Sequence, residues 1–204
     1  MSIYPPPHHQ SDQQDQMLRV VKAFPLATLI SAKDDRPFAT HIPIIYNEES
    51  SRLVAHIDKF NPQVETLFDG ANVEVVFRGP DAYISPSIYA TKQLPTWNYL
   101  MVHARGKVNL INDPEAAKET MVAMTSFLEG PKPAYVLTKD NTRMHRVIRY
   151  IQAFDIEVEH WEGKFKLSQD KNEQDFDNAR AELLQNSLPR YHDLIEEMYQ
   201  EFTR

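Results

Sequence analysis

The sequence predicts an α+β fold: a small antiparallel β-barrel with added helices and a helical C-terminus. Three observations predict it. Strand-like runs rich in β-branched and aromatic residues follow one another from Leu26 to Val108, separated by short turns. Helical apolar spacing is concentrated before Pro25 and after Asp113. Across 204 residues, 42% hydrophobic and 10% aromatic content supplies a core for one large domain, or one domain with appended helices. The expected division is a barrel with inserted helices over residues 1–171 and a helical extension packed on it over 172–204.

Residues Met1 to Gln10 hold three successive prolines and the pair His8-His9, which read as a solvated tail rather than a metal pair. Ser11 or Asp12 caps a helix running to about Phe24. Met17, Val20, Val21 and Phe24 form its buried face, and Pro25 ends it. Leu26 to Ser31 reads as a buried strand and Lys33 to Arg36 as its turn. Pro37 to Tyr46 is a second strand, in which Pro43 lacks a backbone donor and so marks an edge or a bulge. Arg52 to Asp58 is a third. Asn61 then caps a short helix with Pro62 at its first position, and Val64, Leu67 and Phe68 form its buried side. A fourth strand, Asn72 to Arg78, stops at the punctuation of Gly79-Pro80.

Asp113-Pro114 repeats the cap-then-proline signature. Ala117, Met121, Met124 and Leu128 line the helix that follows, and Gly130 closes it. A further helix near Lys139 to Tyr150 places Met144, Val147, Ile148 and Ile151 inside and Lys139, Arg143, Arg146 and Arg149 outside. Tyr150 to Glu159 reads as a strand, extended by Trp161 to Ser168 past a turn at Gly163. From Asn172 the chain turns helical. Ala179, Leu183 and Leu184 form one apolar face, Pro189 breaks it, and Leu194, Ile195, Met198 and Phe202 form another.

Composition narrows the function classes. The absence of cysteine removes disulfides, thiolate nucleophiles and cysteine metal sites. A net charge of −7 argues against broad affinity for nucleic acid, which rests on cations neutralising phosphates. No apolar run reaches membrane-spanning length, and the N-terminus lacks the plan of a signal peptide, so the expected location is the cytoplasm, away from any membrane. No metal-ligand spacing, phosphate-loop glycine string or nucleophile elbow is present.

The densest stretch runs from Arg78 to Leu110. Aromatic bodies with polar tips in one β-rich unit suit a flat ligand with polar edges, and equally a twisted hairpin whose aromatics cover the core. Period-two alternation puts Trp97, Tyr99, Met101 and His103 on one face and Asn98, Leu100, Val102 and Ala104 on the other. Trp97 and His103 can therefore face one pocket, which Asn98 joins only across a bulge. Lys59 and the amides following Asn61 suit an anion site, or simply a solvated turn lysine and a cap. The basic stripe from Lys139 to Arg149 suits DNA or a solvated face, with no helix-turn-helix pattern beside it.

The strings GPDAYISPSIY and PTWNYLMVHARGKV resemble the PaiB-type family of FMN-binding split-barrel proteins, often described as negative transcriptional regulators. ATHIPI (Ala39 to Ile44), Asn61-Pro62-Gln63 and FKLSQDKNEQD (Phe165 to Asp175) extend the match. Ile88 and Asp170 depart from it, standing where Trp and Asn are usual. The resemblance implies a pyridoxamine-phosphate-oxidase-like split barrel, FMN as cofactor and a homodimer with the flavin at the subunit interface. It implies cofactor contacts at Thr40, His41, Lys59, Asn61, Gln63, Trp97, Asn98 and His103. Lys166, on the phosphate, and Ser168 and Gln169, on the ring or ribityl chain, complete the set, and no catalytic residue is assigned. The implied activity is flavin-dependent oxidoreduction or a flavin-responsive role; the alternative is a transcriptional regulator binding DNA or a protein partner without catalysis.

Overall fold

The computed structural model describes residues 4–202. In chain order these form β1 (Gln10–Ser11), α1 (Gln14–Ala23), β2 (Leu26–Lys33), β3 (Arg36–Asn47), β4 (Arg52–Asp58), β5 (Asn72–Ile84) and β6 (Thr96–Ile111). There follow α2 (Pro114–Glu129), α3 (Thr142–Val147), β7 (Ile151–Lys166), α4 (Glu173–Gln185) and α5 (His192–Glu201), with short 3₁₀ turns between several elements. The strands pair in the order β1-β7-β4-β3-β2-β5-β6, and a further pairing of β7 with β6 closes the ring. The registers recorded for β2–β3, β3–β4, β2–β5 and β4–β7 are all antiparallel. The barrel class read from the sequence is the one observed.

The chain divides into two compact units. One comprises Met1–Phe24, Phe77–His103 and Trp161–Arg204; the other comprises Pro25–Val76 and Ala104–His160. The C-terminal helices thus group with the first unit. In the second unit, β2 to β4 with parts of β5, β6 and β7 enclose Leu29, Ile44, Leu53, Val75, Phe154 and Ile156, all fully buried. Asp34 and Asp35, at φ 51° and 59°, make the β2–β3 turn, a conformation that short polar side chains tolerate. Pro43 pairs with Leu26 of β2, whereas the β3–β4 register begins only at Ile44↔Ala55. Pro43 therefore sits where β3 has a partner on one side, which fits its missing donor.

Several boundaries differ from the sequence reading, each for a packing reason. β5 does not stop at Gly79-Pro80 but runs through both to Ile84. A Cβ at Gly79 would lie 2.7 Å from the Leu100 carbonyl oxygen, so this glycine serves a close strand approach rather than a turn. Gly163 is likewise inside β7, paired with Ser11 of β1. The helix after Asn61 is a five-residue 3₁₀ turn, Pro62–Thr66, and Phe68 beyond it is exposed. In α2, Leu128 is exposed while Phe127 packs on Ile45, Val54 and Met124. The helix expected from Lys139 to Tyr150 is six residues of α3 followed by a 3₁₀ turn, and Ile151 already opens β7. Among the described residues no helix is long and apolar enough to cross a membrane.

Candidate functional site

The site residues read from the sequence fall in both units, and each group is described within its own. In the second unit, Asn61 caps the 3₁₀ turn through its Oδ1, which accepts from Gln63 N at 2.9 Å, while its Nδ2 donates to Thr40 Oγ1 at 3.1 Å. Gln63 is buried and donates through Nε2 to Leu29 O at 3.1 Å and Ser31 Oγ at 2.9 Å. Ser31 and Thr66 hydroxyls lie 2.6 Å apart beside it. Thr40, Asn61 and Gln63 are thus brought together as one hydrogen-bonded wall linking β2, β3 and the turn. Gln63 Oε1 has no partner among the described residues, and a buried acceptor in that state calls for a water or a ligand donor. His41 is exposed on β3, its Nδ1 2.9 Å from Thr28 Oγ1 of β2.

The first amides after Asn61, where an anion site is expected, make their bonds within the turn itself. Pro62 has no N–H, Gln63 N is held by the Asn61 side chain, and Val64 N donates to Asn61 O at 3.0 Å. Those donors are already engaged. Lys59 instead lines a different pocket of about 140 Å³, together with Arg149, Asn112 and Gln152 and an apolar floor that includes Ile111 and Ile148. The guanidinium of Arg149 lies 4.7 Å from the Tyr150 ring centroid. Tyr150 in turn stacks with the exposed Phe60, centroids 5.8 Å apart. Lys59 N donates to Tyr150 O at 2.8 Å, fastening the end of β4 to the start of β7. Two cations, two amides and an adjoining exposed aromatic pair suit an anionic group carried on a flat ring.

Arg149 was expected on a basic stripe. That stripe is broken up: Lys139 precedes α3 and is ion-paired with Glu119, and Arg149 follows α3 at the pocket. Behind the pocket wall, Lys118 is buried, with Nζ 2.6 Å from Glu115 Oε1 and 2.9 Å from His145 Nδ1. Burial lowers the His56 imidazole to about 4. The Thr120 hydroxyl donates to Ala117 O, so His56 Nε2 is the donor in its 2.8 Å contact with Thr120 Oγ1.

In the first unit the alternation along β6 is strict at its start: Asn98, Leu100 and Val102 are buried, whereas Trp97, Tyr99, Met101 and His103 lie on the outer face. No bulge brings Asn98 round to Trp97 and His103. Asn98 Nδ2 donates to Ser168 Oγ at 3.1 Å and Tyr199 OH at 3.3 Å, and Ser168 Oγ returns a bond to Asn98 Oδ1 at 3.1 Å. Tyr89 OH lies 3.2 Å from the same serine. Ser168, at φ 66°, and Gln169 are buried as well, and Gln169 Nε2 donates to Phe165 O at 2.5 Å. Asn98, Ser168 and Gln169, expected as ligand contacts, therefore bond to one another and to their neighbours in the interior of this unit. Burial pushes the Tyr199 phenol far up despite its bond to Asn98.

Lys166 Nζ donates to Thr96 Oγ1 at 2.5 Å. Trp97 remains half exposed, its Nε1 donating to Asp81 Oδ1 at 2.9 Å and its ring 6.0 Å from that of Tyr83. Asp175, missed from the sequence, accepts from Ala90 N at 2.6 Å and from the Thr91 hydroxyl, pinning the connector before β6 onto α4. Tyr199 was legible as the position four after Ile195 on the buried face of α5. Its partner Asn98, 101 residues away, was not.

The family described as "Putative FMN-binding domain" matches residues 3–160. Over 199 residues the chain is 28% identical to the protease synthase and sporulation protein PAI 2 of Bacillus subtilis, covering 96% of each chain. A 152-residue stretch is 31% identical to an uncharacterized protein of Saccharomyces cerevisiae, spanning 62% of this chain and 88% of that one. Among solved structures, an FAD and heme binding protein from Mycobacterium smegmatis superposes with a TM-score of 0.63 at 18% identity, covering 78% of this chain and 73% of the other. A flavocytochrome from Azotobacter vinelandii gives 0.61 at 16% identity, covering 83% and 75%. The fold is shared at that distance, and the match across most of the length settles the lineage: the chain belongs to the PaiB-type family of FMN-binding split-barrel proteins.

Proposed function

We propose that the chain is a flavin-dependent oxidoreductase that holds FMN by its phosphate in the Lys59–Arg149 pocket and takes hydride from a reduced nicotinamide. The observation that carries this reading is the pocket itself: two cations and two amides converge at the end of β4. Its volume, about 140 Å³, suits a phosphate but falls short of the roughly 300 Å³ or more that a whole cofactor of this size fills. The ring must then lie outside, where Phe60 and Tyr150 offer an exposed apolar surface. FMN supplies the redox chemistry when bound. The chain's own residues would bind and orient: Lys59 and Arg149 would neutralise the phosphate and Asn112 would offer an amide donor, its Oδ1 held by Gln152 Nε2 at 3.4 Å.

The outer face of β5 and β6 adds support for a second copy of the chain as the remaining wall. Trp97 is 48% and Tyr83 50% exposed there, more aromatic surface than isolated exposure accounts for. Light scattering on the purified protein is expected to give twice the chain mass; a monomer at micromolar concentration sinks the interface reading.

Flavin titration of desalted protein, followed by visible absorbance and fluorescence quenching, tests the site. One FMN per chain with micromolar affinity is expected, weakened about 10-fold or more by Lys59→Ala or Arg149→Ala, since a charge-assisted contact contributes roughly 1.5–3 kcal/mol. Anaerobic addition of NADH or NADPH should then bleach the visible flavin band. Failure to bind FMN overturns the proposal. Tight binding without bleaching by either nicotinamide favours a flavin-responsive regulator instead. The exposed Arg143 and Arg146 are what a DNA-binding version of that reading has, on an α3 of six residues. That is short for a groove-reading helix.

A further inference from the structure

The N-terminal segment is not the solvated tail that its prolines suggest. Pro7–His9 forms a 3₁₀ turn, and His9 is 5% exposed. His9 Nδ1 lies 2.7 Å from Gln169 Oε1. That oxygen also accepts from Leu167 N at 2.8 Å, while Gln169 Nε2 donates to a carbonyl, so the amide orientation is set on both sides. The proton of His9 must therefore sit on Nδ1. Among the described residues no hydrogen bond to its Nε2 is seen, which leaves that lone pair on a ring held through Nδ1. A carbonyl accepting the far N–H is how metal-binding histidines are oriented.

Two further ligand types stand beside it. A ligating atom from each of His8, His9 and Asp170 lies within 4.8 Å of the other two. The His8 and His9 rings are 4.1 Å apart, edge to face. Asp170 is one of the chain's departures from the KLSQNK-type string, so the carboxylate replaces a neutral amide at this spot. Lys171 Nζ bonds Asp170 Oδ2 at 2.6 Å, and Lys166 also faces His9.

We propose that His8, His9 and Asp170 form a binding site for a first-row divalent cation of the zinc class. Two imidazoles and one carboxylate select such an ion over calcium or magnesium, which favour all-oxygen shells. Three protein ligands leave one position of a tetrahedral shell to water. The ion would tie the Pro7–His9 turn to the Ser168–Lys171 loop within the first unit. The neighbouring Lys171 competes for the carboxylate and so weakens the site.

The test uses the untagged full chain, stripped with chelator and desalted. Titration with Co²⁺, read by its visible absorption bands, should saturate at one ion per chain, and Zn²⁺ should displace it. His8→Ala and Asp170→Asn alter exposed side chains and should leave metal-free unfolding unchanged. Each should weaken Co²⁺ binding about 10-fold or more. Zn²⁺ should raise the unfolding temperature of the wild type and not of the variants. Absence of saturable one-to-one binding overturns the proposal, and so does unchanged affinity in either variant. FMN titration of the same variants should match wild type, which separates this site from the flavin pocket.

Discussion

Replacing Gly106 with alanine is expected to destabilise the barrel by about 4 kcal/mol or more, enough to abolish soluble folded protein. A Cβ at Gly106 would lie 2.1 Å from Glu157 O, 2.9 Å from Glu157 C and 2.9 Å from Val158 Cα. All three are backbone atoms of β7, so no side chain can swing away to make room. The contact lies where β6 meets β7, the pairing that closes the ring. Opening it would also loosen Asn109 Nδ2 from Asp155 Oδ1, now 2.9 Å apart, and Lys107 from Glu159. Soluble yield and denaturant unfolding of Gly106→Ala check this. A variant that unfolds at the wild-type midpoint would mean that β6 and β7 do not approach as closely as described.

The second large effect is acid destabilisation through His56. Its folded value is about 4 because burial disfavours the imidazolium; in the unfolded chain it returns to roughly 6.5. The folded value is depressed, so the unfolded state binds the proton more readily. The stabilisation is fully present above about pH 6.5 and is lost as pH falls from there towards 4. The difference corresponds to about 3 kcal/mol across that window. His56→Gln keeps a donor for Thr120 but cannot titrate. Denaturant unfolding at several pH values should therefore show a shallower slope for the variant between pH 6.5 and 4. Parallel slopes for wild type and variant would refute the assignment.

Legibility followed the range of the physics. Two caps were readable because their partners sit within three residues: Asn61 and Asp113 each accept the backbone bond their residue type predicts, whereas α1 begins after Gln13 with no side-chain cap, not at Ser11 or Asp12. The β6 alternation was readable because the strand period is two, and it correctly separated Asn98 from Trp97. What misled was local punctuation inside long strands. Gly79 and Gly163 look like turn signals until the neighbouring strand, far off in sequence, is seen to need the space.

The candidate site was half legible. Lys59 was singled out for its charge beside a capped turn, and it does line a pocket, but with Arg149 rather than with the turn's amides. Arg149 was read as part of a helical stripe because its spacing fits one. Only the early end of α3 and the onset of β7 at Ile151 bring it beside Lys59. The late string from Lys166 to Gln169 was expected to reach the ligand. Its serine and glutamine turn inward, where Asn98 and Tyr89 bond the serine and His9 bonds the glutamine.

By itself, then, the sequence determined the barrel class, the β6 faces, the caps at Asn61 and Asp113 and the family, all of which depend on periodicity or on short ordered strings. The tertiary structure alone decided which polar side chains are used up in the interior and which cations meet at a surface. Burial and pairing across a hundred residues depend on where strands close, and no local pattern encodes that.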